Sequence, residues 1–181
     1  MIEEIIIAGF GGQGVMSMGQ LLAYAGMVDG KHVSWIPAYG PEMRGGTANC
    51  SVIISDDPIS SPIIADPTTL IVLNRVSLEK FQKDVLPKGL ILINSSLIDV
   101  KPSRRDVRSL EIPVDQLAMQ KFGNSRVANM ILLGAFIEIT QAVSVDSVMG
   151  ALKKVLPEHR HNLIPLNRQA VELGIEIAKK V

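Results

Sequence analysis

The sequence predicts a single α/β domain over residues 1–181, built on one doubly wound, mostly parallel sheet with helices on both faces and further helices at the C-terminal end. Short β-branched runs bounded by Gly or Pro alternate with segments of helical spacing. The first run, Ile5–Ala8, is apolar at every position, which is typical of a strand buried on both faces. With 47% hydrophobic residues the chain can form a substantial core, and no repeat or linker divides it.

The first half of the chain alternates strands and helices. After Ile5–Ala8 comes a glycine-rich turn, then a helix over Val15–Val28 that Gly30 ends, and then the strand Lys31–Ile36. We interpret this as an opening βαβ unit. Behind a loop at 37–46, the remaining predicted elements of this half are the strand Thr47–Ser55, the strand Thr69–Leu73, the helix Ser77–Val85, the strand Leu90–Ile93 and the strand Val107–Ile112.

The second half is predicted to be helical. Ser144 and Asn162 are the expected N-caps of its last two helices. The four predicted helices cover Val114–Lys121, Val127–Thr140, Val145–Leu156 and Asn162–Lys180.

Charge and cysteine content exclude several classes of function. The 18 basic and 18 acidic residues leave no net charge, which argues against a nucleic-acid or acidic-membrane partner. Cys50 is the sole cysteine, so we expect a cytoplasmic protein with a buried, inert thiol. One thiol cannot hold an iron–sulfur cluster, which needs about four. The N-terminus has no basic segment typical of a signal peptide, and no apolar run reaches the roughly 20 residues of a membrane span.

The glycine-rich turn is the first candidate site. It has the spacing G-x-G-x-x-G between a strand and a helix, which suits the binding of a phosphate-bearing ligand by backbone N–H groups. The alternative is a turn that only packs the strand against the helix. Val15 stands where a Walker A loop has lysine, and the strand end Trp35–Pro37 lacks the carboxylate of a dinucleotide site. The candidate residues are Gly9, Gly11, Gly12, Gln13 and Gly14.

A second glycine loop, Pro37–Gly46, follows the second strand and is predicted to lie at the same edge of the sheet. Its candidate binding residues are Tyr39, Glu42 and Arg44, since a guanidinium can pair with phosphate or carboxylate in a bidentate manner. The alternative is a rigid loop in which Glu42 and Arg44 pair with each other or with a partner subunit.

These two loops together resemble the gamma subunit of the 2-oxoacid:ferredoxin oxidoreductases, which include the pyruvate, 2-oxoglutarate, 2-oxoisovalerate and indolepyruvate enzymes. The turn Gly9–Gly14 is similar to that family's G-x-G-G-Q-G, and Pro37–Gly46 is similar to its P-x-Y-G-x-E-x-R-G-G. The segments 47–50 and 123–130 extend the likeness, which runs from Ile5 to about Leu156. The run Tyr39–Cys50 is most similar to the 2-oxoglutarate and branched 2-oxoacid types.

The resemblance implies an oxidative decarboxylation that yields acyl-coenzyme A and reduces ferredoxin. It implies that thiamine diphosphate, Mg and [4Fe-4S] clusters reside on alpha and beta partner subunits, with a delta subunit as an open alternative. This chain is then expected to bind coenzyme A phosphates and to contact its partners, without catalytic residues, metal ligands or activity of its own. Asn124, Ser125 and Arg126 form a further phosphate candidate, for which a helix cap with a solvated Arg is an equal alternative.

Other functions remain open from the sequence. One is a free-standing nucleotide-dependent enzyme such as a small dehydrogenase, and another is a structural scaffold without a ligand. His159 and His161 are expected in a surface turn and not in a metal site. The segment Arg104–Arg108 is expected to be a solvated loop, with docking of an acidic ferredoxin as the alternative.

Overall fold

A computed structural model describes residues 1–38 and 47–181. Within them, six strands form one sheet in the order β2-β3-β1-β4-β5-β6. The strands are β1 Ile2–Phe10, β2 His32–Ala38, β3 Thr47–Ser55, β4 Thr69–Val72, β5 Leu90–Asn94 and β6 Arg108–Ile112. The helices are α1 Val15–Val28, α2 Arg75–Phe81, α3 Val114–Phe122, α4 Ala128–Thr140, α5 Val145–Val155 and α6 Ile164–Ala178.

The sheet is mixed but mostly parallel. The strands β1, β4, β5 and β6 are mutually parallel neighbours, whereas β3 runs antiparallel to both β1 and β2. The expected opening βαβ unit is therefore wrong in one respect, because β3 separates β1 from β2. The physical reason is that β2 and β3 pair as consecutive antiparallel strands, so that Cys50 lies between Ile7 on one side and Pro37 on the other.

Helices cover both faces of the sheet, as expected, but unequally. One face packs α1 and α3–α6 into a large core around the strand residues Ile5 and Ile7. The opposite face packs Leu78 of α2 over Ile6 and Ala8. Because successive strand residues point to opposite faces, burial of both faces requires an apolar residue at every position of Ile5–Ala8.

The helices α4 and α6 pack against each other backbone to backbone. A Cβ added at Gly134 would lie 2.8 Å from the carbonyl carbon of Val171, and one added at Gly174 would lie 2.9 Å from the backbone nitrogen of Ala135. Backbone carbonyl oxygens would be closer still at both positions. A side chain at either glycine would therefore separate the two helices.

The helix ends show which capping predictions hold. Gly30, with φ of 72°, follows the end of α1. The Ser144 side chain accepts a hydrogen bond from the Ser147 amide and caps α5, as predicted. Asn162 is a wrong N-cap prediction, because it lies inside a 3-10 turn over Glu158–Leu163 and α6 begins after it, with Pro165 in its first turn.

Asp29 joins α1 to α5. Its carboxylate accepts hydrogen bonds from the Ser144 amide at 2.7 Å and from the hydroxyls of Ser144 and Ser147. Burial raises the pKa of Asp29, but these hydrogen bonds outweigh burial and hold its pKa below the ordinary value.

Arg104 is not solvated as expected. Its guanidinium donates to the carbonyls of Lys83 and Val85, both at 3.0 Å, and forms a bidentate pair with Asp106 at 2.6 Å. The hydrogen bonds to Asp106 raise the pKa of Arg104 above its ordinary value. Arg104 therefore satisfies carbonyls that follow α2 and joins two loops of the smaller core face.

Candidate functional site

The candidate site lies at the carboxyl edge of the sheet, between β1 and β4. From β1 the chain passes through α1 on one face toward β2, whereas from β4 it passes through α2 on the other face toward β5. Such a reversal of winding direction opens a crevice where ligands of open α/β sheets bind. A cavity of about 730 Å³ occupies this position on the α1 side, lined by residues that include Gly12 after β1, Leu73 after β4 and Asn94 at the end of β5.

The glycine turn forms one wall of this cavity. Gly12 and Gly14 have φ of 92° and 81°, values in the left-handed region that favours glycine. Gly12, Gln13 and Gly14 line the cavity, while Gly9, which the structure places in β1, and Gly11 do not. Helix α1 follows directly, and within residues 1–38 and 47–181 no side chain caps its start. The first-turn N–H groups of α1 thus start at the cavity wall, where a helix dipole favours an anion.

The segment Asn124–Arg126 forms a second wall of the same cavity. The Asn124 side chain accepts a hydrogen bond from the Arg126 amide at 3.0 Å and caps a 3-10 turn that runs into α4. In the described part of the chain, the exposed Arg126 guanidinium forms no ion pair. The structure therefore brings the two candidate phosphate sites together, although Gly14 and Asn124 are 110 residues apart in the chain.

Asn129, which the sequence analysis missed, joins these two walls. Its Nδ2 lies 2.5 Å from the position that a Cβ at Gly14 would occupy. Its Oδ1 is buried and has no hydrogen-bond partner among the described residues. Glycine is therefore needed at position 14 both because of its positive φ and because the Asn129 side chain of α4 leaves no room for a Cβ.

Arg160 was also missed. It lies in the 3-10 turn before α6 and adds a second exposed guanidinium to the cavity lining. The sequence signal was weak, because the segment reads as a surface turn with two histidines. Apolar side chains of α1, α5 and α6, including Met18, Leu152 and Leu166, line the rest of the cavity. A cavity that combines apolar side chains with polar groups, helix-start N–H groups and two guanidiniums can hold an amphipathic phosphate ester.

Tyr39, Glu42 and Arg44 lie outside the described residues. The strand residues that flank their loop are described. Ala38 pairs with Asn49, and Asn49 pairs with Ala8 near the carboxyl end of β1. Both flanks of the loop are therefore at the carboxyl edge, as the sequence predicted.

Cys50 has no part in the site. It is fully buried, its thiol points to the Val15 carbonyl, and burial raises its pKa to about 12. Over residues 1–38 and 47–181, no group of three or more His, Cys, Asp or Glu side chains could hold a metal ion. None of the helices in the described ranges is long and apolar enough to cross a membrane.

Comparison with known proteins gives the family. The family described as Pyruvate ferredoxin/flavodoxin oxidoreductase matches residues 4–177. The chain belongs to this family. The resemblance seen in the two glycine loops is thereby confirmed.

Among relatives, the chain is 32% identical over 185 residues to 2-oxoglutarate synthase subunit KorC of Methanocaldococcus jannaschii, covering 100% of this chain and 96% of KorC. It is 39% identical over 178 residues to ketoisovalerate oxidoreductase subunit VorA of Methanothermobacter thermautotrophicus, covering 98% of this chain. The chain spans only 36% of that VorA, so the same domain there belongs to a longer polypeptide.

Two solved structures share the fold. The gamma subunit of a keto/oxoacid ferredoxin oxidoreductase from Geobacter sulfurreducens superposes with a TM-score of 0.84 at 30% identity, covering 99% of both chains. The 2-oxoglutarate:ferredoxin oxidoreductase from Magnetococcus marinus superposes with a TM-score of 0.89 at 23% identity, covering 99% of this chain and 31% of that one. The second likeness concerns the fold alone.

Proposed function

We propose that this chain is the gamma subunit of a thiamine diphosphate- and iron–sulfur-dependent 2-oxoacid:ferredoxin oxidoreductase of the cytoplasm. The assembled enzyme decarboxylates a 2-oxoacid, forms acyl-coenzyme A and reduces ferredoxin. The KorC and VorA relatives favour 2-oxoglutarate or a branched 2-oxoacid as the substrate. Alpha and beta subunits carry thiamine diphosphate, Mg and the clusters, since Cys50 supplies one of the roughly four thiolates that a cluster needs.

Within that enzyme, this chain contributes the binding of coenzyme A through its carboxyl-edge cavity. The observation that carries this proposal is the convergence of the α1 start, the Asn124–Arg126 turn and Arg160 on one cavity. Phosphates accept hydrogen bonds from helix-start amides and from guanidiniums, and the apolar lining suits the uncharged parts of the ligand. The Magnetococcus marinus enzyme, whose structure contains coenzyme A and succinyl-CoA, includes a region with this fold.

No residue of the cavity has a bond-making role in this proposal. Coenzyme A supplies the thiol that accepts the acyl group, and the chain binds and orients it. We propose that Tyr39, Glu42 and Arg44 act at the active site shared with the partner subunits. Arg44→Ala is then expected to slow acyl transfer more than decarboxylation, measured as acyl-coenzyme A formed and CO2 released. Equal loss of both rates in a normally assembled enzyme contradicts this role.

The binding role is tested by removing the two guanidiniums one at a time. In the assembled oxidoreductase, Arg126→Ala and Arg160→Ala are each expected to raise the KM for coenzyme A about tenfold, because each removes a charge-assisted hydrogen bond. The matched control is Arg168→Ala, which removes an exposed guanidinium of α6 that pairs with Asp146 outside the cavity. Unchanged KM values for both cavity variants rule out coenzyme A binding at this cavity.

A further inference from the structure

The side chain of Gln13 bridges the crevice between β1 and β4. Its Oε1 accepts a hydrogen bond from the Phe10 amide at 2.6 Å, which closes the glycine turn on itself. Its Nε2 donates to the Leu73 carbonyl at 3.0 Å, which ties the turn to the residue that follows β4. Both ends of the side-chain amide are therefore engaged by the protein.

Gly9 provides the space for this amide. A Cβ at Gly9 would lie 2.6 Å from Gln13 Oε1 and 2.9 Å from the Leu73 Cβ. Gly9 does not have the positive φ of Gly12 and Gly14, so close approach and not backbone conformation explains its glycine. Gly9 and Gln13 thus form one packed unit, and any side chain at position 9 would push the amide off its two partners.

The turn that Gln13 closes contains Gly11, Gly12 and Gly14, and glycine has more backbone freedom in the unfolded chain than any other residue. Glycine loses more freedom on ordering than any other residue, so a glycine-rich turn that orders only when phosphate arrives reduces affinity. The Gln13 backbone amide also bonds to the Phe10 carbonyl at 3.2 Å. Backbone and side-chain bonds therefore fix the turn in the ligand-free chain, and a preformed site binds more tightly.

From these contacts we infer that Gln13 is a positioning residue, which holds the glycine turn in its phosphate-binding form and does not itself bind the phosphate. This inference rests on the proposed function, because the benefit of a fixed turn is coenzyme A affinity. Gln13, named from the sequence as one of the candidate binding residues, thereby has a supporting role instead of a direct contact with the ligand. It also makes the Leu73 carbonyl, which accepts the Gln13 hydrogen bond, part of the support of the site.

The test compares Gln13→Met, which keeps the side-chain length without hydrogen-bonding groups, with Gln120→Met on the exposed side of α3 as the control. Hydrogen exchange of peptides covering residues 9–14 is measured in the full chain without ligand, and KM and kcat for coenzyme A are measured in the assembled oxidoreductase. We expect Gln13→Met to speed exchange of the turn about tenfold before any ligand is added. We also expect a KM about fivefold to tenfold higher, with kcat at saturating coenzyme A near that of the parent enzyme. Gln120→Met is expected to change neither.

Other outcomes separate this inference from the proposed function. A higher KM with unchanged exchange of the ligand-free turn makes Gln13 a direct ligand and overturns the inference. Unchanged exchange together with unchanged KM also overturns it. Faster exchange with an unchanged KM, alongside unchanged KM values for the Arg126 and Arg160 variants, shows that the bridge exists but that the cavity does not bind coenzyme A. If Gln13→Met does not assemble, the isosteric Gln13→Glu, which keeps the acceptor for Phe10 and loses the donor to Leu73, is compared by hydrogen exchange of the ligand-free chain alone, because its added charge would itself weaken phosphate binding. Unchanged exchange in this variant overturns the inference.

Discussion

The crossing of α4 and α6 allows a stability prediction whose sign opposes simple helix propensity. In an exposed helix, Gly→Ala stabilises by about 1 kcal/mol, because alanine loses less backbone entropy on folding. At Gly174 the added Cβ would lie 2.9 Å from the Ala135 nitrogen and nearer still to the Ile131 carbonyl oxygen. Non-bonded heavy atoms ordinarily stay about 3.5 Å apart, so the helices must separate or bend.

The magnitude follows from what that separation disturbs. The atoms that a Gly174 Cβ would meet are backbone atoms of α4, a helix with nine buried residues, so no flexible side chain can move aside. Overpacking of a well-packed core costs about 1–3 kcal/mol and occasionally more. We place Gly174→Ala at the upper end, so that after the propensity gain of about 1 kcal/mol the net destabilisation is about 2 kcal/mol.

The assay is thermal or urea unfolding followed by far-ultraviolet circular dichroism, with Gly150→Ala as the matched control. Gly150 lies within α5, and a Cβ there meets no described atom within 4 Å. For a chain of this size about 1 kcal/mol corresponds to about 2–4 °C in Tm. Gly174→Ala is expected to lower Tm by about 4–8 °C and Gly150→Ala to raise it by about 2–4 °C. A Tm for Gly174→Ala at or above that of the parent chain refutes the backbone-contact argument.

Three further predictions concern local contacts. Cys50 is fully buried with a thiol pKa of about 12, so a thiol reagent at pH 8 is expected to label it only as fast as the protein unfolds, and rapid labelling of native protein contradicts this. The pKa of Asp29 is lowered in the folded state, so the stability that its carboxylate contributes is full above the unfolded pKa of about 3.9 and is lost as pH falls through the folded pKa. Asp29→Asn should therefore lower the free energy of unfolding by about 1 kcal/mol at pH 7 and by less at pH 3. Equal losses at the two pH values contradict the assignment. Gly12→Ala and Gly14→Ala both place alanine at positive φ, but only Gly14→Ala also displaces Asn129, so it should be the more destabilising of the two in urea unfolding; equal effects show that the Asn129 contact contributes nothing.

Elements with strong local signals could be predicted from the sequence. The bounds of α1 and β3 agree residue by residue, because a glycine turn, a positive-φ glycine and β-branched runs mark them within a few residues. The Ser144 cap was also predictable, because a serine directly before a helical segment is a local signal. Asn162 failed because a cap-forming residue also suits a 3-10 turn, and the Pro in the first turn of α6 decided where that helix begins.

Features that depend on distant pairing could not be predicted in this way. Strand adjacency is set by contacts over long sequence separations, so the insertion of β3 beside β1 leaves no mark within β1 or β3. The segment around Arg104 has the composition of a solvated loop, and only the folded chain shows the carbonyls to which the Arg104 guanidinium donates hydrogen bonds.

The candidate site was predicted in parts. Both phosphate candidates were identified, because glycine spacing and a polar turn before a helix are local patterns. Their meeting in one cavity, and the addition of Asn129 and Arg160, depend on how α4 and α6 pack over the sheet. The role of Gln13 needed the position of Leu73, which lies 60 residues away.

The glycines of the α4–α6 crossing also bear on the size of the binding space. Residues at the N-terminal ends of both helices line the cavity, and the helices touch through main-chain atoms at Ile131–Ala135 of α4 and Val171–Gly174 of α6. The separation of α4 and α6 is therefore governed by Gly134 and Gly174, which do not line the cavity. Substitutions in the lining change the chemical groups that a ligand meets and the space that side chains fill, whereas the separation of the two helix backbones is set at the glycine crossing.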